Sequence, residues 1–317
     1  MMVIRSLNDV SRTPGPRAVA LGFFDGVHLG HQRIINELVA ESRRSGLVST
    51  CLTFDPHPLL VLQPRSHGLK MLTSLEERLA LFDSLGVETA IVAGFDQEFA
   101  MMSPGEFARS VLKEAIGARV VACGFNFTFG QGGEGTSADL ARLGSDLGFA
   151  VRVHRPVLVD GVAVSSTVIR RAVEAGDVTR ARVMLGRPYS LQGEVIAGDG
   201  RGKRLQIPTA NLRVSPERLL PACGVYATVS ETVMGRFPSV TNVGVRPTFP
   251  AAAATVETHI GGFSGDIYGT EMKVLFLKRL RDERLFAGGD ELTEQVRKDA
   301  ALAREIAAGE DLGGEPG

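Results

Sequence analysis

The sequence predicts an α/β chain in two parts, in which a domain built on a mostly parallel sheet precedes a smaller antiparallel β domain. Three observations support this prediction. The chain has 317 residues, which is long for a single hydrophobic core. Strand-like and helix-like segments alternate up to Gly186, a pattern typical of a parallel sheet covered by helices. Beyond Gly186, short strand-like runs are separated by glycine, proline and polar residues, which indicates a small barrel or sandwich.

The first domain is predicted from apolar runs and from the residues that begin and end helices. Its strand-like runs lie at residues 17–24, 47–54, 88–95, 118–125 and 149–157. A helix with apolar residues at helical spacing follows the first run and ends at Gly46. Ser74 with Glu77, and Ser103 with Glu106, have the spacing of capping boxes and begin two further helices. Ligands of such sheets bind beyond the carboxyl ends of the strands.

The second domain is predicted from five short strand-like runs and one long helix. The runs lie at residues 190–198, 224–235, 238–244, 255–260 and 272–280. A short basic helix that ends at Gly186 precedes them, and a helix over residues 290–309 closes the domain. The tail rich in glycine, glutamate and proline is expected to be disordered.

The composition is that of an ordinary globular protein, with 44% hydrophobic and 22% charged residues. The 35 basic and 36 acidic residues give a formal net charge of -1, which predicts no general attraction to nucleic acid or to an anionic membrane. Cys51, Cys123 and Cys223 are far apart and form no CxxC, which favours a reducing cytoplasm. We expect neither a signal peptide nor a membrane span, because no apolar run approaches the ~20 residues that a spanning helix needs.

Two histidines directly follow the first strand, in the sequence LGFFDGVHLGHQ. His28 and His31 are predicted where a helix begins, and there the free backbone N–H groups and the helix dipole favour an anion. Gly26 and Gly30 would let the backbone approach a phosphate closely, and the imidazoles could stabilise charge on a leaving pyrophosphate. Two alternatives stay open, namely a zinc site that includes His57 and ordinary capping or packing histidines. The pattern favours phosphate chemistry over both.

Four motifs carry a resemblance to a known family. The sequence GFFDGVHLGHQ at residues 22–32 resembles the GxFDGxHxGH signature of the nucleotidyltransferase superfamily, in the version found in bacterial bifunctional riboflavin kinase/FAD synthetases. SSTVIRRAVEAGDV at residues 165–178 resembles the SSTxIR segment of that family. GRPYSLQGEV at residues 186–195 resembles its domain junction, and IPTANL at residues 207–212 resembles its kinase signature. The four matches keep their order and span nearly the whole chain.

The resemblance implies a Rossmann-like nucleotidyltransferase domain at residues 1–186, a β-barrel kinase domain at residues 187–308 and a tail at residues 309–317. It implies a transferase that phosphorylates riboflavin to FMN with ATP and adenylylates FMN to FAD with release of pyrophosphate. The implied cofactor is Mg²⁺, ATP is the co-substrate, and riboflavin, FMN and FAD are the other small molecules bound. No nucleic acid or membrane partner is expected, and the location is expected to be cytoplasmic.

The resemblance assigns adenylyl transfer to residues of two motifs. The residues expected to be catalytic are His28, His31 and Arg170, and those expected to bind ATP or its phosphates in this domain are Gly22, Phe24, Asp25, Gly30, Ser166 and Thr167. From the residues alone, Ser166 and Thr167 could cap a helix that begins near Val168, which would also occur in an inactive domain. Arg170, one turn later, offers a forked and permanently charged partner for phosphate.

A glycine-rich stretch after residues 118–125 has two interpretations. Gly130, Gly132 and Gly135 satisfy GxGxxG, which alone would indicate an oxidoreductase that binds a dinucleotide. However, the stretch lies late in the domain, and no acidic residue ends the following strand where a carboxylate for the ribose is expected. We therefore interpret the GxGxxG match as a coincidence.

In the resembling family, the segment before these glycines helps to bind the flavin. The resemblance assigns Asn126, Phe127 and Thr128 to this role. Many family members have an aspartate in place of Asn126, and an arginine and an aspartate where this chain has Gly133 and Thr136. Asparagine keeps hydrogen-bonding capacity but loses the negative charge. These departures motivate an alternative function, a riboflavin kinase whose N-terminal domain is a weakly active or regulatory module that binds nucleotide or flavin.

The second domain carries a glycine-rich basic loop before IPTANL. The loop is no Walker A motif, because three residues instead of four separate Gly198 from Gly202. Successive glycines can still present backbone N–H groups to phosphate, although a surface hairpin would give the same pattern. The loop residues expected to bind ATP are Gly200, Gly202 and Lys203.

Thr209 and Asn211 are two residues apart, so their oxygens face the same side of an extended strand. Two neutral oxygen ligands suit Mg²⁺, and the resembling family uses these positions for that metal. The resemblance also assigns Glu257 as the base toward the 5′-hydroxyl of the flavin, whereas alone it would be an outward strand residue. Gln206 departs from the family, which usually has a glycine there.

Overall fold

The computed structural model describes residues 1–12, 15–62, 68–197, 207–244 and 255–309. The chain forms two compact units, Met1–Ser166 and Thr167–Gly317. The first unit holds a parallel sheet and the second a closed barrel. Within the described ranges, no helix combines the length and the apolar character that a membrane span requires.

The first unit is built on a six-stranded parallel sheet. Its strands are β1 Met2–Ile4, β2 Arg17–Leu21, β3 Val48–Asp55, β4 Thr89–Gly94, β5 Ala118–Gly124 and β8 Ala150–His154. The unit also has two short hairpins outside this sheet. One pairs β6 Thr128–Phe129 with β7 Gly135–Thr136, and the other pairs β9 Leu158–Val159 with β10 Val162–Ala163. The strand order in the sheet is β1-β4-β3-β2-β5-β8. The predicted parallel sheet is therefore confirmed. The strand β1 was not predicted, because it has three residues of which two are exposed at the sheet edge.

Both faces of this sheet are covered, which explains why β2 is apolar at nearly every position. Ala18 and Ala20 face the cluster that contains Ile35 and Leu38 of the first long helix. Val19 and Leu21 alternate with them and join the cluster on the opposite face. A strand buried on both faces needs a continuous apolar run instead of alternation with polar residues.

Three predicted helix ends of the first unit are confirmed, at Gly46, Ser74 and Ser103. The helices are α1 Leu29–Ser45, α2 Pro58–Leu62, α3 Leu75–Ser84, α4 Gln97–Ala100, α5 Pro104–Glu106 and α6 Ser137–Leu147, with 3₁₀ turns at Leu7–Arg12 and Gln131–Gly133. Gly46 ends α1 in the left-handed conformation, with φ of 64°. Both predicted capping boxes are present, at Ser74 before α3 and at Ser103 before α5. The helix α5 continues as a π-helical segment, Phe107–Ala115.

The glycine-rich stretch lies in the β6–β7 hairpin, which separates the sheet strand β5 from α6. Gly130 has φ of 75°, and a Cβ atom there would lie 2.7 Å from the backbone nitrogen of Pro104. A Cβ atom at Gly135 would lie 2.8 Å from the ring of Phe129. Packing of the hairpin thus explains both glycines, which supports the interpretation of GxGxxG as a coincidence.

The second unit contains a closed antiparallel barrel. Its strands are β11 Tyr189–Ile196, β12 Thr209–Arg213, β13 Gly224–Thr232, β14 Gly235–Gly244, β15 Thr255–Ile260 and β16 Glu271–Arg281, and its helices are α7 Ser166–Glu174, α8 Val178–Leu185 and α9 Gly289–Ala308. The order around the barrel is β11-β12-β15-β14-β13-β16. The sequence left a barrel and a sandwich open, and the structure shows the barrel.

Hydrogen-bonded hydroxyl groups run across three strands of the barrel. Ser230, Thr228 and Ser239 are linked by Oγ–Oγ distances of 2.9 Å. Oγ1 of Thr241 lies 2.8 Å from that of Thr228 and 2.9 Å from that of Thr258. All five side chains are buried, so each hydroxyl finds its partner inside the protein and not in water. We call these five residues the hydroxyl row.

The helix α9 is fixed to the barrel by apolar and ionic contacts. Ala303 packs in a cluster with Val225, Ala227 and Val240. Asp299 is buried and accepts hydrogen bonds from the Nη2 and Nε atoms of Arg281, at 2.8 and 3.1 Å. The predicted closing helix over residues 290–309 is thereby confirmed and placed on β13 and β14.

Candidate active sites

The two histidines lie at the start of α1, beyond the carboxyl end of β2. His28 is the N-cap residue of α1, and its Nδ1 accepts a hydrogen bond from the backbone N–H of His31 at 3.3 Å. The two rings are stacked, with centroids 3.6 Å apart and planes at 18°. The structure thus shows His28 as a capping residue, and this role does not by itself exclude contact with a phosphate.

Two glycines and one phenylalanine shape the surroundings of these imidazoles. A Cβ atom at Gly30 would lie 3.1 Å from Cε1 of His28, and one at Gly22 would lie 3.2 Å from the ring of Phe24. Phe24 is buried and meets the ring of His31 edge-on, at 5.2 Å between centroids. Gly22, Phe24 and Gly30, which were expected to bind ATP, thus set the positions of the histidines.

The loop between β2 and α1 is strained. Phe24 has φ of 62° and Val27 has φ of 38°, which are rare values for residues with side chains and rarer still for a β-branched residue. Both side chains are buried, so packing holds the backbone in this form. Nε2 of Gln32 donates to the carbonyl oxygen of Val27 at 2.8 Å and ties the loop to α1.

Asp25 is buried in this loop and points to a neighbouring segment. Its carboxylate accepts hydrogen bonds from the backbone N–H of Leu72 at 3.1 Å and from the backbone N–H and hydroxyl of Thr73 at 3.0 and 3.1 Å. The hydroxyl of Thr73 in turn accepts from the N–H of Gly26 at 2.9 Å. Asp25 was expected to bind ATP phosphate, but its carboxylate is engaged here, and an anion would repel phosphate. We therefore expect Asp25 to position the loop.

The SST segment differs from the prediction in register. The helix α7 begins at Ser166 and not near Val168, so Ser166 and Thr167 are its first residues and do not precede it. The hydroxyl of Ser166 donates to the carbonyl oxygen of Asp25 at 2.9 Å, which joins this segment to the histidine loop. Arg170 lies one turn further along α7, and like Thr167 it belongs to the second compact unit.

Sequence reasoning did not select Arg78, which is buried in α3 beside the loop. Its Nη1 donates to the carbonyl oxygen of Phe23 at 2.7 Å and to the hydroxyl of Thr53 at 3.0 Å. Its guanidinium lies 4.0 Å above the centroid of the Phe23 ring. Burial lowers the pKa of Arg78 to about 10, opposed by the nearby Asp25 and Asp55 carboxylates. The available signal was a charged residue on the face of α3 that buries Leu79 and Phe82.

The zinc alternative finds no support in the part of the chain that the structure describes, where no group of three or more His, Cys, Asp or Glu side chains could hold a metal ion. Nδ1 of His57 accepts a hydrogen bond from the backbone N–H of Leu59 at 3.0 Å. The His57 ring packs against Phe23, with centroids 4.0 Å apart. His57 therefore stabilises the turn that follows β3.

The segment expected to bind flavin follows β5. Asn126 and Thr128 are exposed, whereas Phe127 is half-buried and stacks on Phe129 with centroids 5.9 Å apart. Two positions that depart from the family have structural roles. Thr136 is the N-cap of α6, where its hydroxyl accepts from the N–H of Asp139, and Gly133 has φ of 71°.

The second site lies on adjacent strands of the barrel. Asn211 on β12 is the cross-strand partner of Glu257 on β15, and Thr209 is the partner of His259. The pairing places the side chains of Thr209, Asn211 and Glu257 on one face, opposite to that of the neighbouring Thr258 in the hydroxyl row. All three are half-buried. Among the described residues, the Glu257 carboxylate has no hydrogen bond or ion pair, so it is available to a substrate. The expectation that Thr209 and Asn211 share a face is confirmed.

Five residues of the glycine-rich loop and its end lie outside the described residues. They are Gly198, Gly200, Gly202, Lys203 and Gln206. The described chain resumes at Ile207, and the carbonyl oxygen of Pro208 lies 3.0 Å from Nδ1 of His259. This contact fixes the beginning of β12 next to β15.

Comparison with known proteins accounts for both units. A family model described as FAD synthetase matches residues 10–168, and one described as riboflavin kinase matches residues 185–307. Proteins described as bifunctional riboflavin kinase/FMN adenylyltransferase are similar to the chain. The Bacillus subtilis protein is 36% identical, with 89% of each chain covered. The Listeria monocytogenes protein is 38% identical (89% of this chain, 90% of the other), and the Escherichia coli K12 protein is 32% identical (96% and 98%).

A solved structure shares the fold. It belongs to a Streptococcus pneumoniae protein described as a macrolide-efflux protein, with a TM-score of 0.88, 31% identity, and 96% of this chain and 99% of that chain covered. The description concerns that protein alone. The two family matches and the relatives above 30% identity cover nearly the whole sequence, so this chain belongs to the bifunctional riboflavin kinase/FMN adenylyltransferase family.

Proposed function

We propose that the chain makes FMN from riboflavin and ATP on its barrel, and FAD from FMN and ATP at the histidine loop of its first unit. The observation that carries this proposal is that the chain has two polar arrangements, each in the part matched by the corresponding family model. One is the histidine loop, and the other is the set of Thr209, Asn211 and Glu257 on the barrel. Riboflavin, FMN and ATP are the small molecules involved.

In the adenylyl transfer, a phosphate oxygen of FMN attacks the α-phosphorus of ATP, and the bond from that phosphorus to the bridging oxygen breaks to release pyrophosphate. We propose that His28 and His31 donate hydrogen bonds to the phosphate oxygens and stabilise the charge that develops on the leaving group. The first turn of α1 adds its backbone N–H groups and dipole. Arg170 is proposed as a forked cation for the same phosphates.

Several residues would contribute to this reaction without touching ATP. We propose that Asp25 keeps the loop in its strained form through Leu72 and Thr73, while Gly30 and Phe24 hold the imidazoles in place. Ser166 is engaged with the carbonyl oxygen of Asp25, so its hydroxyl would orient the loop. In addition to His28, His31 and Arg170, we propose that Gly22 and Thr167 contact ATP.

For the flavin of this reaction we propose Asn126 and Thr128 as polar contacts, because both are exposed immediately beyond the carboxyl end of β5. Phe127 is half-buried against Phe129 and would offer only one side of its ring. Loss of the family's aspartate at Asn126 removes a charge but keeps an acceptor and a donor.

In the kinase reaction, the 5′-hydroxyl oxygen of riboflavin attacks the γ-phosphorus of ATP, the bond to the β–γ bridging oxygen breaks, and ADP leaves. We propose that Glu257 accepts the hydroxyl proton, since its carboxylate has no hydrogen bond or ion pair with another described residue. The side-chain oxygens of Thr209 and Asn211 on the same face suit Mg²⁺, which prefers hard oxygen ligands. When bound there, the cation supplies neutralisation of phosphate charge. Gly200, Gly202 and Lys203 are proposed to contact the nucleotide.

The half-reactions can be measured separately. Purified protein is incubated with ATP and Mg²⁺ and either riboflavin or FMN, and the products are separated by chromatography. We expect FMN and FAD from riboflavin, and FAD from FMN. Failure to form FMN would contradict the kinase proposal, and failure to form FAD from supplied FMN would contradict the adenylyltransferase proposal.

The alternative of a regulatory first domain is not favoured, since the first unit matches the FAD synthetase family model and the relatives are described as bifunctional. We propose residues 1–186 and 187–308 as the two functional domains. A cytoplasmic location is also a proposal, supported by the unpaired thiols of Cys51, Cys123 and Cys223.

A further inference from the structure

The polar row on the barrel continues past Glu257 to a residue that sequence reasoning did not select. Asn242 on β14 is a direct cross-strand partner of Glu257, as Asn211 on β12 is on the other side. The register thus gives Glu257 a side-chain amide on each flank. Directly opposed residues in antiparallel strands have Cβ atoms about 4.5–5.5 Å apart, so both amides can limit the orientations of the carboxylate between them.

The amide of Asn242 is itself held from outside the sheet. Its Nδ2 donates a hydrogen bond to Oε1 of Glu283 at 3.0 Å. Glu283 follows β16 and is separated from Asn242 by 41 positions along the chain. Hydrogen bonds to ionised carboxylates are stronger than those between neutral groups. Glu283 therefore fixes the orientation of the Asn242 amide, with Nδ2 directed toward Glu283.

Gly244 provides the space that Glu283 needs. A Cβ atom at Gly244 would overlap Oε1 of Glu283 and would lie 3.1 Å from Nδ2 of Asn242. Gly244 is not among the residues with positive φ, so its backbone conformation does not require glycine. The close approach of Glu283 explains the absent side chain.

We propose that Asn242, Glu283 and Gly244 form a clasp that positions Glu257 for riboflavin phosphorylation. Glu283 orients the amide of Asn242, and this amide restricts the Glu257 carboxylate on the flank opposite to Asn211. A base must lie within hydrogen-bond reach of the proton it accepts. Because a glutamate side chain has several rotatable bonds, neighbouring groups are needed to hold its carboxylate in that position. Asn242 is therefore a positioning residue, and the clasp acts on the chemical step. This inference rests on the proposed kinase function.

The experiment compares full-length variants by steady-state riboflavin phosphorylation, FMN adenylylation and thermal melting. The variants are Asn242→Ala, Glu283→Gln, Gly244→Ala and the double variant Asn242→Ala/Glu283→Gln. The matched control is Glu271→Gln, which alters another amide–carboxylate pair on the barrel, where Nε2 of Gln192 donates to Oε2 of Glu271 at 2.9 Å. Glu283→Gln keeps the side-chain shape and tests the clasp even if Gly244→Ala does not fold.

We expect each single variant to lower the kinase kcat about 10-fold, with the riboflavin KM within about twofold of that of the unaltered protein. This pattern is expected because the clasp acts on the chemical step and not on riboflavin binding. The double variant should be no slower than the slower single variant, because both changes remove the same hydrogen bond between Asn242 and Glu283. FMN adenylylation and the Glu271→Gln control should be unaffected.

Three results would overturn the clasp. They are kinase rates equal to those of Glu271→Gln, independent losses that multiply in the double variant, and a raised riboflavin KM with unchanged kcat. If the unaltered protein makes no FMN, the proposed function fails instead. The two failures are therefore distinguishable.

Discussion

His28 and His31 share one edge of α1, and each depends on a neighbour for its position. His28 accepts the hydrogen bond that caps the helix, while His31 stacks on His28 and meets Phe24 edge-on. Phe24 and the stacked partner ring therefore restrict the orientation of the His31 imidazole.

Replacing either His28 or His31 by alanine should lower the rate of FMN adenylylation. Each change removes a donor that is proposed to stabilise the leaving pyrophosphate, and loss of one such donor costs about 100- to 1,000-fold in rate. FAD formation from FMN measures the effect, and riboflavin phosphorylation by the same preparations is the control. A folded variant that loses both activities would contradict the assignment of separate sites.

A methyl group at Gly30 should displace His28 without unfolding the protein. Gly30→Ala would bring Cβ to 3.1 Å from Cε1 of His28, so the ring must shift by a few tenths of an ångström. We expect about a 10-fold loss of FMN adenylylation, because small displacements of reacting groups are costly. Alanine is the better helix former, so the melting temperature should not fall. Unchanged adenylylation would show that the ring position is not critical.

The β2–α1 loop depends, as an element, on the segment that precedes α3. Thr73→Val should destabilise the first unit by about 1–3 kcal/mol, because the buried groups of Asp25 and Gly26 each lose a hydrogen-bond partner. FMN adenylylation should fall with it, while kinase activity persists below the melting temperature. Chemical unfolding measures the loss, and Ser84→Ala, at an exposed hydroxyl of α3, is the control. Equal stability of the two variants would contradict the role given to Thr73.

The hydroxyl row should contribute to the stability of the barrel. Thr241→Val keeps the shape of the side chain but leaves Thr228 and Thr258 each without one of their partners. An unsatisfied buried hydroxyl costs about 1–3 kcal/mol, and we expect a loss of this size in the free energy of unfolding of the second unit. Adenylyl transfer by the first unit is the internal control. A variant as stable as the unaltered protein would show that the row can rearrange.

Local signals predicted these elements well, and long-range contacts were the part that sequence could not supply. The capping boxes at Ser74 and Ser103 depend on residues three positions apart, so a single sequence contains the whole motif. By contrast, Asp25 meets Thr73 across 48 positions and Asn242 meets Glu283 across 41. Nothing in their spacing indicates these pairs. The assignment of Asp25 to phosphate followed from its place in the motif alone.

For the whole molecule, each activity should survive the loss of the other, because His28 belongs to the first compact unit and Glu257 to the second. A mixture of the His28→Ala and Glu257→Gln proteins should convert riboflavin to FAD, although neither protein does so efficiently alone. FMN released by the first protein would be the substrate of the second. Chromatography of the mixture measures FAD, and the two separate proteins are the controls. A mixture that forms FMN without FAD would show that FMN does not pass between molecules.

The division into a parallel sheet and a small antiparallel domain could be predicted because the change in hydrophobic period at Gly186 is visible in the sequence. The closure of the barrel could not be predicted from the sequence, because it depends on the pairing of β11 with both β12 and β16. On the face of the barrel that carries Glu257, the shared orientation of Thr209 and Asn211 could be predicted because they are two residues apart. The position of Asn242 could not be predicted, because only the pairing of β14 with β15 places it beside Glu257.

The small side chains of Ala18 and Ala20 have a consequence for the histidines some distance away. Their side chains point from β2 toward α1 and are short, so the helix packs close to the strand. The distance of α1 from the sheet, and with it the position of His28, therefore depends on two methyl groups underneath the helix. Larger side chains at these positions would push α1 away from the sheet and displace both imidazoles.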